Sequence, residues 1–165
     1  MTRGTLLWAQ VALGMPCAIL LLALVRPPVA GGWPAPPALA TGVLAGIALF
    51  AALERRAPVL PRPPVDRERV WLAAQVVLAL WAGVEEVVWR WAILGELTRL
   101  IPVAAALAVS ALGFALCHRA PAAAHLLAGL VFGGVFVGTG SLAAAWLAHV
   151  AYNGSVAGAR SRGPA

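Results

Sequence analysis

The sequence predicts an all-α protein, a polytopic membrane bundle of about six transmembrane helices. Hydrophobic residues make up 62% of the 165-residue chain, and its mean hydropathy is +0.89. A soluble domain of this size keeps a large share of its surface in water and cannot hide that much apolar area. Only 11% of the residues are charged, which makes the bilayer the fitting solvent. The apolar residues also fall into six separate runs, each near the ~17–25 residues that a spanning helix needs.

The runs are 5–25, 38–53, 70–90, 102–118, 122–138 and 141–157. The first follows Arg3 and contains Pro16. It is longer than the apolar core of a signal peptide and no convincing A-x-A cleavage site follows it, so it is read as a helix. Arg26-Pro27-Pro28 through Pro36-Pro37 is a Pro/Gly-rich loop. The second run is the short one, and the polar linker 54–69 (ERRAPVLPRPPVDRER), with five arginines, follows it. The third run carries Glu85, Glu86 and Arg90. A turn near 99–102 leads to the fourth, which ends at His118, and the last two complete the bundle. No internal repeat is visible, so residues 1–165 form one membrane domain.

Arginine supplies all 12 cations, and the net charge is +6. Nucleic acid is rejected as a partner, because the arginines flank apolar runs and do not interleave with aromatics on one polar face. They act as topology signals. With the 54–69 loop inside and six spans, nine arginines are cytoplasmic (3, 55, 56, 62, 67, 69, 119, 160 and 162), Arg26 and Arg99 are outside, and Arg90 is intramembrane. Both termini then face the cytoplasm, in what reads as a bacterial inner membrane. Cys17 and Cys117 lie in apolar runs and imply no disulfide framework.

Glu85, Glu86 and Arg90 are expensive where they stand. Each charge near a helix centre costs about 2.5–3.5 kcal/mol, or roughly 7–10 kcal/mol for three immersed without partners. Glu86 and Arg90 are i and i+4, so they share a face and pair. Glu85 points about 100° away from Glu86 and is left as the free, desolvated carboxylate, suited to a general base. His118 lies about as far after the 99–102 turn as Glu85 lies before it, which places both at similar depth. His149 and Asn153 are again i and i+4, aimed together at a neighbouring helix or a cavity. His125 opens the fifth run without an i+4 polar partner and reads as interfacial. Trp89 and Trp91 read as packing or interface residues. Gly129, Gly133 and Gly134 read as sites of close helix approach.

Several chemistries use such groups. A zinc site could draw on Glu85, His118 and His149, but no H-E-x-x-H helix is present, so no cofactor is required by the sequence and a divalent metal is not indicated. Cys117 as nucleophile would need His149 as its base, since His118 points about 100° away along the helix. Ser110 and Ser141 lack both a G-x-S-x-G context and an evident base. The remaining scheme uses a Glu and a His to activate water, with a second His and an Asn as oxyanion donors.

Glu85-Glu86-Val87-Val88-Trp89-Arg90 fits E-E-x-x-x-R, Phe114 to His118 fits F-x-x-x-H, and His149 to Asn153 fits H-x-x-x-N. In this order, on three successive apolar segments, they resemble the CAAX-protease and bacteriocin-processing (CPBP, or Abi) family of glutamate-dependent intramembrane proteases, over about residues 70–157. The resemblance implies a catalytic core there. Glu85 and His118 would activate water, His149 and Asn153 would hold the oxyanion, and Glu86 and Arg90 would support them. Trp91 departs from the usual Gly after the Arg, and only two helices precede the core. That compact form is similar to the small sorting-type, myxosortase-like members that cut C-terminal tails. The expected partners are the lipid bilayer and a membrane-proximal peptide or protein substrate. Two other classes use the same scaffold features. One is a non-catalytic immunity or peptide-binding membrane protein, which loss of any motif would have favoured. The other is a proton-coupled transporter, which the missing inverted repeat disfavours.

Overall fold

The computed structural model describes residues 3–27, 35–54, 68–118 and 122–160. Among them there are six helical runs: α1 (Arg3–Leu24), α2 (Ala35–Glu54), α3 (Glu68–Leu100), α4 (Val103–Leu116), α5 (Ala122–Thr139) and α6 (Leu142–Arg160). Each expected apolar segment is a helix, and no strand occurs among the described residues. Most of the 54–69 linker and of the Pro/Gly-rich loop, with Arg55, Arg56, Arg62, Arg67, Arg119 and Arg162, lies outside the described residues.

Four of the six helices are long and apolar enough to cross a membrane: Thr5–Leu24 within α1, then α2, α3 and α5. Helix α4 is shorter, at 14 residues. Helix α6 has the length, but His149, Asn153 and Ser155 dilute its hydropathy. Expectation and structure thus agree on six helices, while length and composition alone license four spans. Large exposed apolar side chains such as Leu13, Leu24 and Leu116 would strand apolar area in water and are at home against lipid tails.

Helix α3 differs most from expectation. It does not end at Arg90 but continues to Leu100, 33 residues in all, or about 50 Å, well beyond the ~30 Å hydrocarbon core. Glu85 and Glu86 therefore sit at its middle. The stretch Val87–Leu94 is π-helical, a wider turn that is rare and concentrates at functional sites. Ser110 on α4 donates its hydroxyl to the Trp89 carbonyl in that segment, at 3.1 Å. The chain then turns at Ile101 and Pro102, as the sequence places it. At the end of α1, the Val25 carbonyl accepts from Trp91 Nε1 at 2.7 Å and the Arg26 carbonyl accepts from Arg99. The two arginines assigned to the outer face therefore meet at one end of the bundle.

The tightest helix pair is α2 against α6. A Cβ at Gly42 would lie 2.1 Å from the Ala144 carbonyl oxygen, and one at Gly46 would lie 2.1 Å from that of Ala148. Only glycine lets the backbones meet this closely. Gly129 and Gly133 make the corresponding contacts with Ala111 and Leu107 on α4, whereas a Cβ at Gly134 would meet nothing within 4 Å among the described residues, so the close-approach role expected of Gly134 is absent there. Gly140 turns the chain between α5 and α6 at φ 62°, a left-handed conformation that favours glycine. Ser141 then accepts from the Ala144 amide at 3.2 Å and so caps α6.

Candidate active site

Three helices bring their polar residues to one place inside the bundle. The i,i+4 spacing on α3 sets Arg90 Nε 3.0 Å from Glu86 Oε2, with both side chains essentially inaccessible, at 1% and 0% exposure. This contact has ion-pair distance without hydrogen-bond alignment, and Arg90 Nη1 and Nη2 meet no hydrogen-bond acceptor among the described residues. Aromatic faces take that place: the guanidinium carbon lies 4.6 Å from the Phe114 ring centroid and 5.6 Å from that of Phe132, where ring quadrupoles attract a cation. The pair expected from spacing is therefore present and fully buried.

Glu85 is not the free carboxylate that helix geometry suggested. Its Oε1 accepts from Trp81 Nε1 at 2.8 Å and faces His118 Nε2 at 3.5 Å. Its Oε2 faces His149 Nε2 at 3.7 Å. Spacing along one helix excluded Glu86 and Arg90 as partners of Glu85. It could not reveal the two histidines, because they arrive on other helices.

The F-x-x-x-H spacing has a local explanation. Two residues past the end of α4, His118 Nδ1 donates to the Phe114 carbonyl four residues back at 2.7 Å, and the two rings lie 4.3 Å apart. With a carbonyl as acceptor, Nδ1 carries the proton, and Nε2 of the neutral ring presents its lone pair towards Glu85. On α6, His149 Nδ1 donates to Glu86 Oε1 at 2.9 Å, and the ring stacks on Phe132 at 4.7 Å. Glu86 thus joins Arg90 on one side to His149 on the other.

These groups open onto a cavity of about 270 Å³, lined by Glu85, His118, His149 and Asn153 together with His125, Tyr152 and aromatic neighbours. All four expected site residues border it, with Glu86 and Arg90 packed behind. His125 was expected at the interface. The structure instead stacks it on His118, with centroids 4.3 Å apart and an interplanar angle of 22°. Nothing local in the sequence signals that contact, which depends on how α5 docks against α4. Trp81 was also missed, although its i,i+4 spacing to Glu85 puts both on one face and could have revealed it.

Among the described residues no group of three or more His, Cys, Asp or Glu side chains is arranged to hold a metal ion. In the trio considered for zinc, His118 Nε2 lies 3.5 Å from Glu85 Oε1 and His149 Nε2 lies 3.7 Å from Glu85 Oε2. Cys117 is exposed and unpaired, as is Cys17. The site therefore offers a carboxylate and an imidazole facing each other, a second imidazole and an amide on the same small cavity, and a buried cation behind them.

No curated protein and no solved structure shows significant similarity to the chain. The family described as Type II CAAX prenyl endopeptidase Rce1-like matches residues 67–155, more than half of the 165-residue sequence. That stretch holds all three polar motifs. The chain is an integral membrane protein of the Type II CAAX prenyl endopeptidase Rce1-like family, a family of CAAX-type intramembrane proteases.

Proposed function

We propose that this protein is a glutamate-dependent intramembrane endopeptidase that hydrolyses a peptide bond near the membrane, in the C-terminal tail of its substrate. The observation that carries the reading is the 3.5 Å separation of Glu85 Oε1 and His118 Nε2 at the wall of a cavity shared with His149 and Asn153. Two acceptors this far apart do not bond each other. One water molecule can donate a hydrogen to each, which aims its lone pairs at a carbonyl carbon in the cavity. As the O–C bond forms, Glu85 and His118 take up the proton, and the carbonyl oxygen gains negative charge. Asn153 donates its amide N–H to that oxygen. His149 donates through Nε2, which requires the imidazolium, because Nδ1–H is already given to Glu86. The tetrahedral intermediate then collapses. The C–N bond breaks, the acid formed by Glu85 and His118 returns its proton to the leaving amine, and two shorter peptides depart.

The family name points to prenylated CAAX tails as one substrate class, and C-terminal sorting tails are the second class to test. The test is cleavage by the purified protein of a panel of both peptide types, read by mass spectrometry. Wild-type protein and Cys117→Ser should yield a product, whereas Glu85→Gln and His118→Ala should yield none while still inserting. Cleavage that survives Glu85→Gln and dies in Cys117→Ser would replace the glutamate with the thiol. No cleavage of any peptide, with binding retained, would turn the protein into a peptide-binding module.

A further inference from the structure

We propose that Trp81 is a positioning residue for Glu85, held in place by α1. This inference rests on the proteolytic reading and adds a part to it. The indole Nε1–H donates to Glu85 Oε1 at 2.8 Å, the oxygen that also faces His118. A carboxylate on a flexible stem has several rotamers. With Oε1 fixed by the indole, Oε2 is left towards His149, so one hydrogen bond sets the orientation of the carboxylate towards both histidines.

The indole is itself fixed from outside the family-matched region. Trp81 packs with Met15 and Ala18 of α1 and with Val84. Gly14 of α1 lies so close that an added Cβ would sit 2.9 Å from Val84 Cγ1 and 3.2 Å from Trp81 Cζ3. Trp81 also separates two cavities. One is the active-site cavity already described. The other, of about 400 Å³, is lined by Gln10, Val88, Trp89 and Cys117 and reaches the same Glu85 and His118 from the α1 side.

Trp81→Phe keeps an aromatic wall and removes the N–H. A hydrogen bond to a charged group is worth enough to predict a fall in kcat of about 10- to 30-fold. KM should move by less than about twofold, since transition-state alignment is lost rather than substrate binding. A second measurement does not depend on proteolysis. The seven tryptophans give distinct indole N–H resonances in ¹⁵N-labelled protein in micelles, and the Trp81 resonance is identified by its absence in Trp81→Phe or, should that variant not fold, in Trp81→Tyr. In wild type it should lie downfield, as for an N–H bonded to a carboxylate, and Glu85→Gln should move it upfield. An unchanged kcat in Trp81→Phe, a loss confined to KM, or a Trp81 resonance indifferent to Glu85→Gln would each overturn the proposal. A wild-type protein that cleaves no peptide would overturn the proteolytic reading alone, and the indole resonance would still decide whether Trp81 holds Glu85.

Discussion

Arg90→Ala isolates what the buried ion pair does for the fold. The side chain is among the largest fully buried ones in the molecule, and it lies 3.0 Å from the Glu86 carboxylate and against the faces of Phe114 and Phe132. Removing one partner of a buried pair costs about 3–5 kcal/mol, because the other charge is left in a dry site. Glu86 keeps one partner, His149 at 2.9 Å, which places the expectation near the lower bound, about 3 kcal/mol. At the ~2–4 °C per kcal/mol usual for chains of 150–250 residues, that is a fall in Tm of about 6–12 °C. Glu85→Gln retains the shape and an oxygen acceptor for Trp81, so its Tm should stay close to that of wild type. The double variant Glu86→Gln/Arg90→Met removes both charges together and should regain most of the loss, since an apolar or neutral replacement of a buried pair is often near neutral. Thermal unfolding of the purified variants in one detergent measures all three. Equal Tm values for Arg90→Ala and Glu85→Gln, within about 2 °C, would refute the claim that a stranded charge controls stability here.

Three further predictions test other parts of the molecule. Asn153→Ala should lower kcat by roughly 10²–10³ with little change in KM, the usual cost of one oxyanion donor, in steady-state kinetics on whichever tail peptide is cleaved. Gly46→Leu should sharply reduce the folded, detergent-extractable yield, because even its Cβ would sit 2.1 Å from the Ala148 carbonyl oxygen, whereas Gly134→Ala, facing open space, should be tolerated. Reporter fusions after residue 165 and within the 27–37 loop should report opposite sides of the membrane, with the C-terminus cytoplasmic. A C-terminal reporter active only on the far side would invert the assignment.

The amino-acid order alone determined a good deal about this protein. Hydropathy and Pro/Gly punctuation located all six helices, because both are local properties of a run of residues. The i,i+4 rule placed Glu86 against Arg90, and hairpin arithmetic matched the depths of Glu85 and His118, because helix rise and turn are nearly constant. The three motifs marked Glu85, His118, His149 and Asn153 as residues of one site. Only the tertiary structure decided what depends on docking between helices. It gave Glu85 two histidine neighbours from other helices in place of the isolation that its own helix suggested, and it moved His125 from a presumed interface onto His118. It also showed that the closest backbone contact is α2 on α6, through Gly42 and Gly46, rather than at Gly134. The π-helical stretch after Glu86 likewise escaped periodicity, since the sequence template assumes 3.6 residues per turn throughout. Contacts between helices depend on their rotation and shift, which side-chain packing sets and no single segment encodes.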